Sequence, residues 1–98
     1  LKRVLQPFAK QIEEAFVFGS VAKGTDTHRS DIDLVVVGNA ELLALSEALY
    51  STEQALGRAI HLSLYEPAEW RELRANDPVM RQIDQGPKLQ LLPDAQTA

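Results

Sequence analysis

Apolar residues recur at helical spacing from the first position: Leu1, Val4, Leu5, Phe8 and Ile12 share one face of an amphipathic helix predicted over Leu1 to Glu14. Pro7 interrupts that reading, because it removes a backbone donor and predicts a kink or the true helix start. Ala15 to Phe18 reads as a short buried strand stopped by Gly19. The polar stretch Ser20 to Ser30, with Gly24, Thr25, Asp26 and Thr27, predicts a brief helical turn and a loop. Asp31 to Val37 carries Ile32, Leu34, Val35, Val36 and Val37 in a row, the strongest strand signal in the chain, and Gly38-Asn39 ends it. A helix follows from Glu41 to about Leu56 with a face of Leu42, Leu45, Leu49 and Leu56, closed by Gly57.

The alternation resumes from Ala59 to Tyr65, where Ile60, Leu62 and Leu64 oppose His61, Ser63 and Tyr65 across a third strand. Pro67 opens a helix through Ala75 that carries Trp70 and Leu73, with Trp70 expected in the core. Asp77-Pro78 then reads as the cap and first position of another turn through Ile83. Gly86-Pro87 breaks it, Lys88 to Leu92 forms a last edge strand, and the residues after it are a loose tail. No internal repeat is present. The order predicts an α/β (α+β) fold, a small mixed β-sheet with helices packed on it, as one domain over residues 1–92 with a flexible tail over 93–98.

At 98 residues, 45% of them hydrophobic and 24% charged, the chain has room for one thin core. A thin core with apolar helix faces predicts a homodimer. Acidic residues outnumber basic ones 14 to 10, which excludes a broad phosphate-binding surface and predicts no direct nucleic-acid binding by this segment. The chain has no cysteine, so disulfides and thiolate metal sites are excluded, in keeping with a cytoplasmic setting. No stretch approaches the ~20 apolar residues of a membrane span, and no membrane association is expected. The first residue is Leu1 and not Met, so a longer product is expected, with any preceding segment outside this sequence.

Candidate chemistry concentrates in Phe18-Gly19-Ser20-Val21-Ala22-Lys23-Gly24 and Ser30-Asp31-Ile32-Asp33-Leu34. A Gly-Ser pair where a strand gives way to a helical turn lets backbone N–H groups and a hydroxyl approach phosphate oxygens, aided by the partial charge of the helix N-terminus. Asp31 and Asp33, two apart on a strand, project from one face and suit a hard cation such as Mg²⁺ or Mn²⁺. Alone, a Gly-Ser turn is commonly only a turn and Asp-x-Asp commonly a solvated strand start. Together they are harder to dismiss, since paired carboxylates repel each other at the head of an apolar strand unless a cation compensates.

This pattern, Gly19-Ser20, Gly24, then Ser30-Asp31-Ile32-Asp33-Leu34, resembles the signature of minimal nucleotidyltransferase domains of the DNA polymerase beta superfamily, over about Leu1 to Leu92. The resemblance implies the nucleotidyltransferase fold, an NTP, ATP first, held by Gly19 and Ser20, and metals on Asp31 and Asp33. Ser30 adjoins this pair, and Lys23 lies where such domains often carry a basic residue near the phosphates. The family's third carboxylate, a metal ligand and base, falls on the third strand, where this chain has His61 before Leu62. A neutral imidazole can accept a proton near pH 7 but adds no charge to a Mg²⁺ site. Glu66 does not substitute, because the strand alternation points it away. More narrowly, the chain resembles domains fused behind winged-helix DNA readers in bacterial regulators, whose tails read like Gly86-Pro87-Lys88-Leu89; nucleic acid would then be bound by a preceding domain.

The leading expectation is transfer of a nucleoside monophosphate from an NTP to a hydroxyl on a protein or small molecule, with Asp31, Asp33 and His61 as catalytic candidates. The alternatives are a nucleotide sensor that has lost turnover at His61, and an antitoxin-like interaction domain. Arg71, Arg74 and Arg81 read as solvated helix faces, and His28 and Arg29 as loop residues, Arg29 with a phosphate within its reach.

Overall fold

Pro7 decides how the chain begins. In the computed structural model, which describes residues 2–19, 24 and 31–92, the α-helix α1 spans only Lys2–Leu5 and gives way to a 3₁₀ turn over Gln6–Gln11. Proline has no N–H to bond back to the carbonyl of Arg3, so the α ladder stops and the tighter turn takes over. The long helix expected over Leu1 to Glu14 is therefore corrected. Glu13 and Glu14 belong instead to strand β1, Ile12–Phe18, which starts three residues before the position predicted from the sequence.

A bulge explains why that start was obscured. Ile12 and Ala15 are both buried in one apolar layer although their separation is odd, which a regular strand forbids. Between Ile12 and Glu14 the register with the next strand slips, leaving Glu13 as the extra residue. Gly38 accommodates this crossing: a Cβ there would lie 2.1 Å from the Gln11 carbonyl oxygen and 2.8 Å from Ile12 Cα.

The remaining elements follow the predicted order. Strand β2 is Ile32–Gly38, helix α2 Leu42–Leu56, strand β3 Ile60–Tyr65, helix α3 Pro67–Asn76, helix α4 Pro78–Gln85 and strand β4 Lys88–Leu92. Gly57 closes α2 in the left-handed conformation at φ 67°, and Asp77 caps α4 by accepting from the N–H groups of Val79 and Met80. The strands form one mixed sheet in the order β3-β2-β1-β4, with β2 parallel to β3 and antiparallel to β1, and β4 antiparallel to β1 at the edge. The turn and loop expected over Ser20 to Ser30 lie, apart from Gly24, outside the described residues, as does the tail over 93–98.

Each face of the sheet has its own apolar layer. On one face Ala15, Val17, Leu34, Val36 and Ile60 pack with Leu5 of α1 and with Leu45 and Leu49 of α2. On the other, Phe16, Val35 and Val37 meet Trp70 of α3, flanked by Phe18, Tyr65, Met80 and Ile83. Trp70 is buried between the rings of Phe16 and Tyr65, with centroids at 5.8 and 5.4 Å. One part of the predicted α2 face is corrected: Leu42 and Leu56, at its two ends, are exposed, because the layer beneath is only as long as the turns carrying Leu45 and Leu49. Among the described residues, no helix is long and apolar enough to cross a membrane.

Candidate active site

β2 turns its polar positions toward the face that carries Val35 and Val37. Asp33 lies on that face at the strand's first turn of alternation, half-buried, and Asp31 stands two residues earlier, just ahead of the strand and exposed. The antiparallel neighbour β1 ends opposite, with Phe18 level with Asp33, so the chain passes Asp33 at Gly19. Gly19 has φ +78°, and a Cβ there would sit 2.8 Å from Asp33 Oδ2. A side chain is thus excluded twice, by backbone conformation and by the carboxylate. The parallel neighbour β3 brings His61 level with Asp33.

His61 Nε2 lies 2.8 Å from Asp31 Oδ2, with both side chains more than half exposed. The hydrogen bond to Asp31, then the charge of Asp31, raises the imidazole above its ordinary 6.5; desolvation opposes the shift, and the charges of Asp33 and Glu53 add to it. In its protonated form His61 is a cation set against an acidic pair. Glu66 stands elsewhere: it follows Tyr65, which pairs with Val37 at the opposite end of β2.

The structure therefore brings together Gly19, Asp31, Asp33 and His61 at one end of one sheet face. Ser20, Lys23 and Ser30, with His28 and Arg29, lie outside the described residues. A groove of about 320 Å³ opens beside Gly19, walled by Phe18, Gln82, Ile83, Gly86 and Pro87. Sequence reasoning missed this wall, because Gly86-Pro87 signals only the end of a helix; its nearness to Gly19 depends on β4 returning alongside β1.

The residues present suit a divalent ion. Mg²⁺ is commonly held by one or two carboxylates, with the remaining positions taken by water and substrate phosphates, and the exposed carboxylate of Asp31 and the half-buried one of Asp33 share this face. The bare backbone of Gly19 leaves space at the Asp33 carboxylate that any side chain would fill. Among the described residues no cluster of three or more His, Cys, Asp or Glu side chains is arranged as a metal site.

A mixed sheet with helices on both faces and an Asp-x-Asp strand beside a strand-ending glycine defines a nucleotidyltransferase domain. The family profile of that name, "Nucleotidyltransferase domain", matches residues 1–84, and the chain belongs to this family. Solved structures share the fold. A chain of a toxin–antitoxin complex crystallised with AMP-PNP is 24% identical at a TM-score of 0.62, covering 97% of this chain and 72% of that one. A chain of an MntA–HpeT toxin–antitoxin variant is 24% identical at 0.63, covering 97% and 71%. A chain from a tri-AMPylated Shewanella oneidensis HEPN toxin in complex with MNT antitoxin is 21% identical at 0.54, covering 97% and 68%. Among curated proteins none matches the chain.

Proposed function

We propose that this domain transfers a nucleoside monophosphate from an NTP, ATP first, to a hydroxyl on a protein or small molecule. The observation that carries this reading is the abutment of Gly19 on Asp33, with Asp31 on the same face: a close backbone approach to a carboxylate pair at a strand end. Asp31 and Asp33 would hold Mg²⁺ or Mn²⁺, and Gly19 with Ser20 would receive the triphosphate, with Lys23 and Ser30 proposed as further phosphate-binding residues. A bound divalent ion supplies charge neutralisation at the phosphates and favours the attacking oxygen. The protein's part is to place the acceptor hydroxyl in line with the α-phosphate, so that positioning and charge do most of the work. Two likenesses support the substrate classes: AMP-PNP accompanies one structural neighbour, and an AMPylated protein accompanies another.

His61 distinguishes this reading from a second. Where the resemblance implies a third carboxylate, His61 donates its Nε2–H to Asp31 Oδ2. In the enzyme, the neutral imidazole takes the proton of the acceptor hydroxyl. In a sensor, it holds Asp31 without turnover. Calorimetric titration with a non-hydrolysable ATP analogue and Mg²⁺, beside an Asp31→Ala/Asp33→Ala variant, tests the shared premise: metal-dependent binding is expected, and is lost in the variant. Transfer of labelled nucleotide by the wild type identifies the enzyme. Activity seen only after His61→Asp identifies the sensor, and no binding of ATP or GTP analogues with either metal removes both.

A further inference from the structure

Charge is distributed unevenly along the chain. Residues 38–70 hold five glutamates, Glu41, Glu47, Glu53, Glu66 and Glu69, and one basic residue, Arg58, so this segment alone carries the chain's net charge of −4. The remaining residues balance nine acidic against nine basic. The same segment carries four of the six large apolar side chains exposed among the described residues: Leu42 at 58%, Leu43 at 64%, Tyr50 at 62% and Leu56 at 49%.

The helix geometry gathers most of these on one side. Glu53 turns toward β3, where its Oε1 accepts from the Ile60 N–H at 2.9 Å. With about 100° between successive residues, Leu42 falls on the same flank as Glu53. It lines a cavity of about 530 Å³ with Leu64 of β3, rimmed by Glu66 and Glu69. Leu43 and Tyr50, seven residues apart, come next around the helix, with Glu47 beyond them. Among the described residues no strand pairs with the outer edge of β3.

We propose that this flank of α2, with the cavity over Leu64, is a docking surface for a cationic amphipathic helix of another protein. Leu and Tyr side chains projecting from one flank two turns apart, beside a recess, suit the apolar stripe of a helix, and an aromatic such as Tyr50 is a common energetic anchor. The glutamates at the rim select the partner's charge and steer its approach. A second copy of this chain is disfavoured, since it would set glutamates against glutamates. This surface is distinct from the end of the sheet that carries Asp31, Asp33 and His61.

The test is an NMR titration of the ¹⁵N-labelled protein with a synthetic amphipathic helical peptide of Leu and Lys, and with its Leu and Glu counterpart, at physiological salt. Shifts confined to residues 41–56 and 62–69 with the Lys peptide, and none with the Glu peptide, are expected. Leu43→Ser/Tyr50→Ser and, separately, Glu47→Lys/Glu66→Lys should each weaken binding at least about tenfold. All four positions are solvent-facing, so circular dichroism and melting should be unchanged; if either variant fails to fold, the shift map and the Lys-against-Glu comparison on the wild type still decide. Absence of binding, equal binding of both peptides, or shifts centred on Asp31–Asp33 or on α4 would overturn the proposal. So would a dimer in sedimentation that Leu43→Ser abolishes, because the occupant would then be a second copy.

Discussion

Gly19 and His61 bracket the acidic pair from two strands, and each makes a distinct prediction. Placing a side chain at φ +78° costs about 1–2 kcal/mol before any contact is counted, and the new Cβ would press on Asp33 Oδ2. Gly19→Ala should therefore lower unfolding free energy by at least about 1–2 kcal/mol in urea titrations and displace the Asp33 carboxylate, abolishing metal-dependent nucleotide binding in calorimetry. His61, held by Asp31, should titrate above 6.5 in metal-free buffer when followed by NMR, and Asp31→Asn should bring it back toward 6.5. With the folded pKa raised, the contact contributes fully below pH 6.5 and is lost as pH rises through the folded value, so metal-free protein should melt lower at pH 9 than at pH 6 by a margin that Asp31→Asn reduces.

Elements were legible wherever period and punctuation agreed. β2, α2, β3, α3 and α4 were readable because alternation or helical spacing ran uninterrupted to a glycine or proline. Asp77 is the sharpest case: Asp-Pro before Val79 and Met80 predicts a cap, and the side chain accepts from both N–H groups. Asp77→Ala should cost about 1 kcal/mol, within a range of about 0.5–2, seen as a shift in denaturant midpoint without a change in slope. The opening of the chain was not legible, for two physical reasons. Pro7 signals a break but not that a 3₁₀ turn fills the space, and the bulge at Glu13 breaks the two-residue alternation that would have announced β1. At the site, period two was enough to put Asp31 and Asp33 on one face. The bond from His61 to Asp31 was not readable, because it depends on how β3 registers against β2 after a helical crossover.

At the scale of the whole molecule, two apolar layers share the strands that separate them. Phe16 belongs to one layer and Val17 to the other, as do Val35 and Val36. Neither layer can loosen without disturbing backbone that the other needs, so the two should unfold together. The composition provides the check, because Trp70 is the only tryptophan in the chain and lies wholly in one layer. Melting followed by tryptophan emission and by far-UV circular dichroism should give coincident midpoints; separate midpoints would mean that the α3–α4 layer detaches first.

The position of Trp70 also has an optical consequence. It packs with Phe16, Val35, Val37 and Tyr65, and of these Val35 is two residues from Asp33 along β2, roughly 7 Å at the rise of a strand. Trp70 is buried, so a nucleotide seated at Gly19 and Asp33 would not stack its base on this indole and would reach it only through intervening rings such as Phe18 and Phe16; the fluorophore reports packing, not direct contact. A change in emission on adding ATP would therefore mark a rearrangement carried along the sheet, and a silent titration would not count against binding.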